Sequence, residues 1–85
     1  MIRPLSARHQ EIIRLVASGY HNKEIGQVLG IDAQTVKNHL TTIFSRAGVL
    51  DRTQLTIWAF KWEILSVDEA YATMTATFEI EETAE

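Results

Sequence analysis

The chain is 85 residues long, 46% apolar, free of cysteine and of formal net charge −3, which supports one helical core but no deep catalytic cleft. The lack of cysteine excludes a disulfide frame and a thiolate metal site, and it fits a reducing compartment. No apolar run approaches the ~20 residues of a membrane span and MIRPLSARHQ lacks a signal-peptide core, so a cytoplasmic chain is expected.

In chain order, the first helix is expected over residues 7–18. Ser6 is its N-cap, Ile12, Ile13, Leu15, Val16 and Ala17 form its apolar stripe, and Gly19 stops it. His9 stands where a glutamate would complete a capping box with Ser6. At the next helix His21 occupies the place of a serine or threonine cap, three residues before Glu24, so Asn22 is expected to cap instead. Ile25, Val28 and Leu29 then recur at helical spacing, and Gly26 is small enough for two helices to approach closely. Gly30 ends this helix, Ile31 plugs the turn, and Asp32 caps a longer helix.

That longer helix has two faces. Val36, Leu40, Ile43, Phe44 and Ala47 step by three or four and are expected in the core, while Gln34, Lys37, Asn38 and Thr41 share the opposite side. A short helix, a tight turn and an amphipathic second helix over residues 22–47 read as a helix-turn-helix. The polar face carries chemistry suited to base edges: lysine donates to guanine or phosphate, glutamine and asparagine pair with adenine, and threonine touches either hydrogen-bonding groups or a thymine methyl.

After Gly48, Asp51 and Gln54 form a capping-box-like start to a fourth helix, expected over 52–64. Arg52 lies at its N-terminus against the dipole preference and is expected to reach a phosphate or an acidic neighbour. The helix has one stripe of Leu55, Ala59 and Trp62 and another of Ile57, Phe60 and Ile64. A surface helix needs one stripe, so the second is expected to be covered by a partner subunit or by the tail. Ile57, Phe60, Lys61 and Ile64 are the candidate dimer interface.

The runs L-S-x-R-x-x-E-I-I-x-L-V-A-x-G, N-K-E-I, L-G-I, T-V-K-N-H and G-V-x-D-R-T-Q, in this order and spacing, resemble the LuxR-type (GerE-like) DNA-binding domain across about residues 5–62. The resemblance implies an all-α, four-helix domain whose third helix reads the major groove and whose fourth commonly dimerises. It implies base contacts from Lys37, Asn38 and Thr41, phosphate contacts from Lys23 and Thr35, and a largely structural His39. Thr41 stands where the family often has a basic residue. The helix-turn-helix of sigma factors shares T-V-K, but G-V-x-D-R-T-Q followed by an apolar helix argues against it.

Charge divides the chain. Residues 1–62 hold all eight Lys and Arg against four acidic residues, net +4, whereas residues 63–85 hold seven acidic residues and no base. A division into a DNA-binding domain, 1–65, and an acidic extension, 66–85, follows. Ser66 and Glu69 make a capping box for a short helix near 67–74, and from Thr73 the alternation of Met74, Ala76, Phe78 and Ile80 with polar residues reads as strand. Such a tail is expected to compete with DNA for the basic face or to attract a basic partner. His9, His21 and His39 lack ligand-like spacing, and no catalytic constellation is present. Neither metal, cofactor nor small-molecule ligand is expected, and the chain is not expected to be an enzyme. The leading expectation is a dimeric regulator binding double-stranded DNA, with no room in 85 residues for a sensory domain. The alternative is an interaction protein that sequesters a LuxR-type regulator or other transcription protein by heterodimerisation.

Overall fold

The computed structural model describes the backbone of residues 5–83 and the side chains of residues 5–76. Its elements are α1 (Ala7–Ala17), α2 (Asn22–Leu29), α3 (Ala33–Ala47), α4 (Arg52–Lys61) and α5 (Val67–Thr83), with no strand among the described residues. α1 packs centrally, touching each of the other four helices.

Local chemistry sets the boundaries. The His9 amide donates to Ser6 Oγ at 3.0 Å, and the amides of Thr35 and Gln54 donate to the carboxylates of Asp32 and Asp51 at 2.7 and 2.8 Å. Each removes one of the unpaired donors at a helix start. The cap of α2 differs from expectation. His21, not Asn22, occupies the N-cap, and its amide donates to Glu24 Oε1 at 2.8 Å. Glu24 thus does the satisfying that a serine or threonine would have shared, leaving the Asn22 side chain for a longer-range partner.

The core joins Ile12, Ile13 and Val16 of α1 to Ile25 of α2, Val36, Leu40 and Ile43 of α3, and Leu55 and Ala59 of α4. Each large aliphatic side chain removed from water here contributes about 1.5–3 kcal/mol. Phe44 and Ala47 pack at its margin, while Val28, which shares the helical spacing of Ile25 and Leu29, is exposed. With only eight residues in α2, Ile25 and Leu29 already span its buried side.

α4 ends earlier than expected, at Lys61. Glu63 adopts a left-handed φ of 56°, and the amides of Glu63 and Ile64 turn back to the carbonyls of Phe60 and Ala59 at 3.1 and 2.9 Å. This paired closure satisfies carbonyls at the helix end. It turns the chain so that Leu65 enters the core, and Trp62, expected to continue the Leu55 and Ala59 stripe, is left exposed.

The strand expected from Thr73 onward is a correction: the backbone is helical to Thr83. A strand requires a partner for its amides and carbonyls, and no other strand exists among the described residues. The threonines that suggested a strand fit the helix by bonding backwards, Thr73 Oγ1 to the Glu69 carbonyl and Thr75 Oγ1 to the Tyr71 carbonyl, both at 2.9 Å. α5 begins on the expected capping box, with Ser66 and Glu69 exchanging bonds at 2.8 and 3.0 Å. It is tied to the body by Ala70 in the core, by Arg14 Nη1 to Glu69 Oε2 at 3.4 Å, and by the Tyr20 hydroxyl donating to the Thr73 carbonyl at 3.0 Å.

Gly26 is where α2 and α3 meet. A Cβ there would collide with the Ile31 carbonyl oxygen, a backbone atom, while the Gly26 carbonyl accepts from the Ile31 amide at 2.9 Å. Alanine would gain about 1 kcal/mol in helix propensity, less than the strain of moving this turn. Gly26→Ala is expected to lose about 1–2 kcal/mol net in chemical denaturation, with the midpoint falling at unchanged slope.

Candidate nucleic-acid interface

The angle between α2 and α3 is set by three residues. Gly30 sits at φ 72°, ψ 32°, a left-handed conformation that a side chain disfavours. Ile31 packs at the core margin, and Asp32 starts α3 immediately. The Thr35 amide, then its hydroxyl, holds the Asp32 carboxyl below its usual pKa, so this cap remains an anion at neutral pH.

With Val36, Leu40 and Ile43 fixed in the core, the helical period turns Gln34, Lys37, Asn38 and Thr41 outward, and all four are exposed. Two of their polar groups are already engaged along the helix. Gln34 Nε2 donates to Asn38 Oδ1 at 3.0 Å, and Thr41 Oγ1 donates to the Lys37 carbonyl at 3.1 Å. The first pair leaves Gln34 Oε1 as an outward acceptor and Asn38 Nδ2 as an outward donor. Thr41 retains acceptor capacity and its methyl group. Lys37 makes no ion pair among the described residues, so its charge is not neutralised within the fold.

Of the residues expected near phosphates, Lys23 is exposed and borders the depression at the turn, together with Gly30 and Ala33. Thr35 is half-buried in the first turn of α3. Arg52 is drawn elsewhere: its guanidinium donates to Asn22 Oδ1 at 2.6 Å and also to the Tyr20 carbonyl. Both terminal nitrogens thus clamp the start of α4 to the segment between α1 and α2. Burial lowers its pKa below the ordinary guanidinium value. The Arg52 guanidinium is therefore engaged within the fold. Its sequence position gave no sign of this clamp, because both partners lie about thirty residues away, as separations of 30 and 32 record.

The residues expected at a dimer interface divide in two. Ile57 and Lys61 are exposed, with Lys61 Nζ 5.8 Å from the Trp62 ring centroid, whereas Phe60 and Ile64 are partly covered by the fold. On the far side of α3 from the polar face, His39 meets His9 of α1 edge to face, ring centroids 5.4 Å apart. Arg46, not singled out from the sequence, also acts on His9. Among the described residues no three His, Asp or Glu side chains gather closely enough to hold a metal ion, and no helix is long and apolar enough to cross a membrane.

A glycine-hinged helix pair presenting a polar face on its second helix, backed by α1 and α4, defines a helix-turn-helix domain. The model of the luxR family of bacterial regulatory proteins, GerE, matches residues 3–59, and the chain belongs to that family of DNA-binding transcription regulators. It is 43% identical over 61 residues to the response regulator protein VraR of Staphylococcus aureus, and equally to those of Staphylococcus saprophyticus and Staphylococcus epidermidis. The match covers 72% of this chain and 29% of each relative, so the chain spans under a third of their length.

Proposed function

We propose that the chain is a cytoplasmic, sequence-specific regulator that inserts α3 into the major groove of double-stranded DNA and dimerises through α4. One observation carries this reading: the exposed set Gln34, Lys37, Asn38 and Thr41 lies on one side of a helix whose other side is locked into the core. Such a helix can enter a groove without exposing apolar surface. Lys37, Asn38, Gln34 and Thr41 contact bases, and Lys23 and Thr35 contact the flanking phosphates. Exposed Ile57 and Lys61, with the accessible parts of Phe60 and Ile64, meet a second copy, whose two-fold relation matches a near-palindromic operator. The relatives named as response regulators support a regulatory role.

Selection of bound sequences from a random duplex pool tests this directly. The expected product is an inverted repeat whose affinity falls steeply with salt. Recovery of no enriched sequence, together with tight capture of a LuxR-type regulator, would replace this proposal with the sequestration reading. An enriched single half-site with a strictly monomeric chain would overturn dimerisation alone.

A further inference from the structure

We infer that α5 extends the dimer surface, docking against α4 of a second copy of this chain. This rests on the α4 dimer proposed above and adds the element that completes it. α5 exposes Val67 at 68%, Tyr71 at 63% and Met74 at 46%, three residues at helical spacing on one side, next to Ala70, which is buried where the same side meets Ala17, Ser18 and Gly19. A contiguous apolar strip of this kind on a small domain marks a surface that is covered when the protein works.

The strip is continuous with α4. Val67 lines a crevice of about 310 Å³ together with Phe60, and it also lines a second of about 250 Å³ together with Tyr71 and Met74. A subunit resting on Phe60 and on Ile57, itself 64% exposed, therefore borders α5 as well.

Charge selects what lies opposite. α5 contains five acidic residues and no basic one, at its two ends, with an uncharged stretch from Ala70 to Phe78 between them. Two α5 segments side by side, each of formal charge −5, would repel. α4 offers the complement: exposed Lys61, with Trp62 beside it, supplies a cation and apolar surface together. A two-fold arrangement pairs α5 of each copy with α4 of the other, and the contact occurs twice.

The absence of cysteine gives a clean test with the full chain. Lys61→Cys and Tyr71→Cys variants, mixed and oxidised, are expected to form the mixed disulfide in preference to either self-linked product. Tyr71→Lys, which sets a second cation against Lys61, is expected to weaken dimerisation in sedimentation by about tenfold or more while leaving the thermal midpoint of the monomer unchanged, since the ring is exposed. A dimer that is dissociated by Ile57→Asp, is unaffected by Tyr71→Lys and cross-links only between two copies of the Lys61→Cys variant overturns the α5 surface and leaves the α4 dimer standing. A wild-type chain that stays monomeric at every concentration overturns both.

Discussion

Arg52→Ala is expected to lower the thermal midpoint by about 10 °C, and Arg52→Lys to recover only a small part of the loss. Hydrogen bonds from a charged group contribute about 1.5–3 kcal/mol when their partners are left behind in a partly buried site, and a chain of this size shifts by roughly 4–8 °C per kcal/mol. Lysine cannot span the Asn22 amide oxygen and the Tyr20 carbonyl at once, because its single ammonium lacks the planar fork of the guanidinium. The same pair of variants separates a structural role from a phosphate contact. Where the protein remains folded, Arg52→Ala should leave the slope of log affinity against log salt unchanged. Lys37→Ala should leave the midpoint unchanged and reduce that slope by about 0.9 per protomer if it meets a phosphate, or relax preference at one base position if it meets a guanine. A reduced slope in Arg52→Ala with no loss of stability would return Arg52 to the DNA surface.

What could be read from the sequence was what depends on near neighbours. Ser6, Asp32 and Asp51 cap helices because an oxygen three residues ahead of an amide can reach it in any chain. The exposed face of α3 follows from the 3.6-residue period once Val36, Leu40 and Ile43 form the core, but the bonds by which Gln34 orients Asn38 and Thr41 leans on Lys37 do not. Long-range facts were hidden. Nothing local assigns Arg52 to Asn22, or the Tyr20 hydroxyl to the Thr73 carbonyl 53 residues on. Period alone put Trp62 inside, since it does not reveal that Glu63 turns left-handed and hands the core position to Leu65. In α5 alternation of apolar and polar residues misled, because a strand depends on a neighbouring strand, and none exists among the described residues. The extension also proves less separable than a charge boundary implies. Removing residues 66–85 would take Ala70 and the partners of Arg14 and Tyr20 with it, so neutralising acidic residues is the better probe of competition with DNA.

Acidification is expected to loosen the attachment of α3 to α1, through His9. Its ring is nearly buried, its Nδ1 has no hydrogen-bond partner, and the groups facing it from α3 are the His39 ring and Arg46. Protonation would create a buried donor with no acceptor and set a cation beside Arg46. Burial, then His39 and then Arg46 accordingly lower the His9 pKa from 6.5. The unfolded chain therefore takes up this proton more readily than the folded one. Stability from His9 is fully present above the unfolded value and declines as pH falls through it. The thermal midpoint of the wild type should thus drop between about pH 7.5 and pH 5, and His9→Gln, neutral throughout, should drop less. His9→Glu places a carboxylate opposite His39 and Arg46 and in position to accept from the Ser6 amide, so its advantage over the wild type should be largest near pH 5. Equal losses in wild type and His9→Gln would show that the acid sensitivity arises elsewhere. Because His39 sits on the same helix as Lys37 and Asn38, the loosening should also reach the polar face: DNA affinity of the wild type should fall with the midpoint as pH is lowered, and His9→Glu should preserve both.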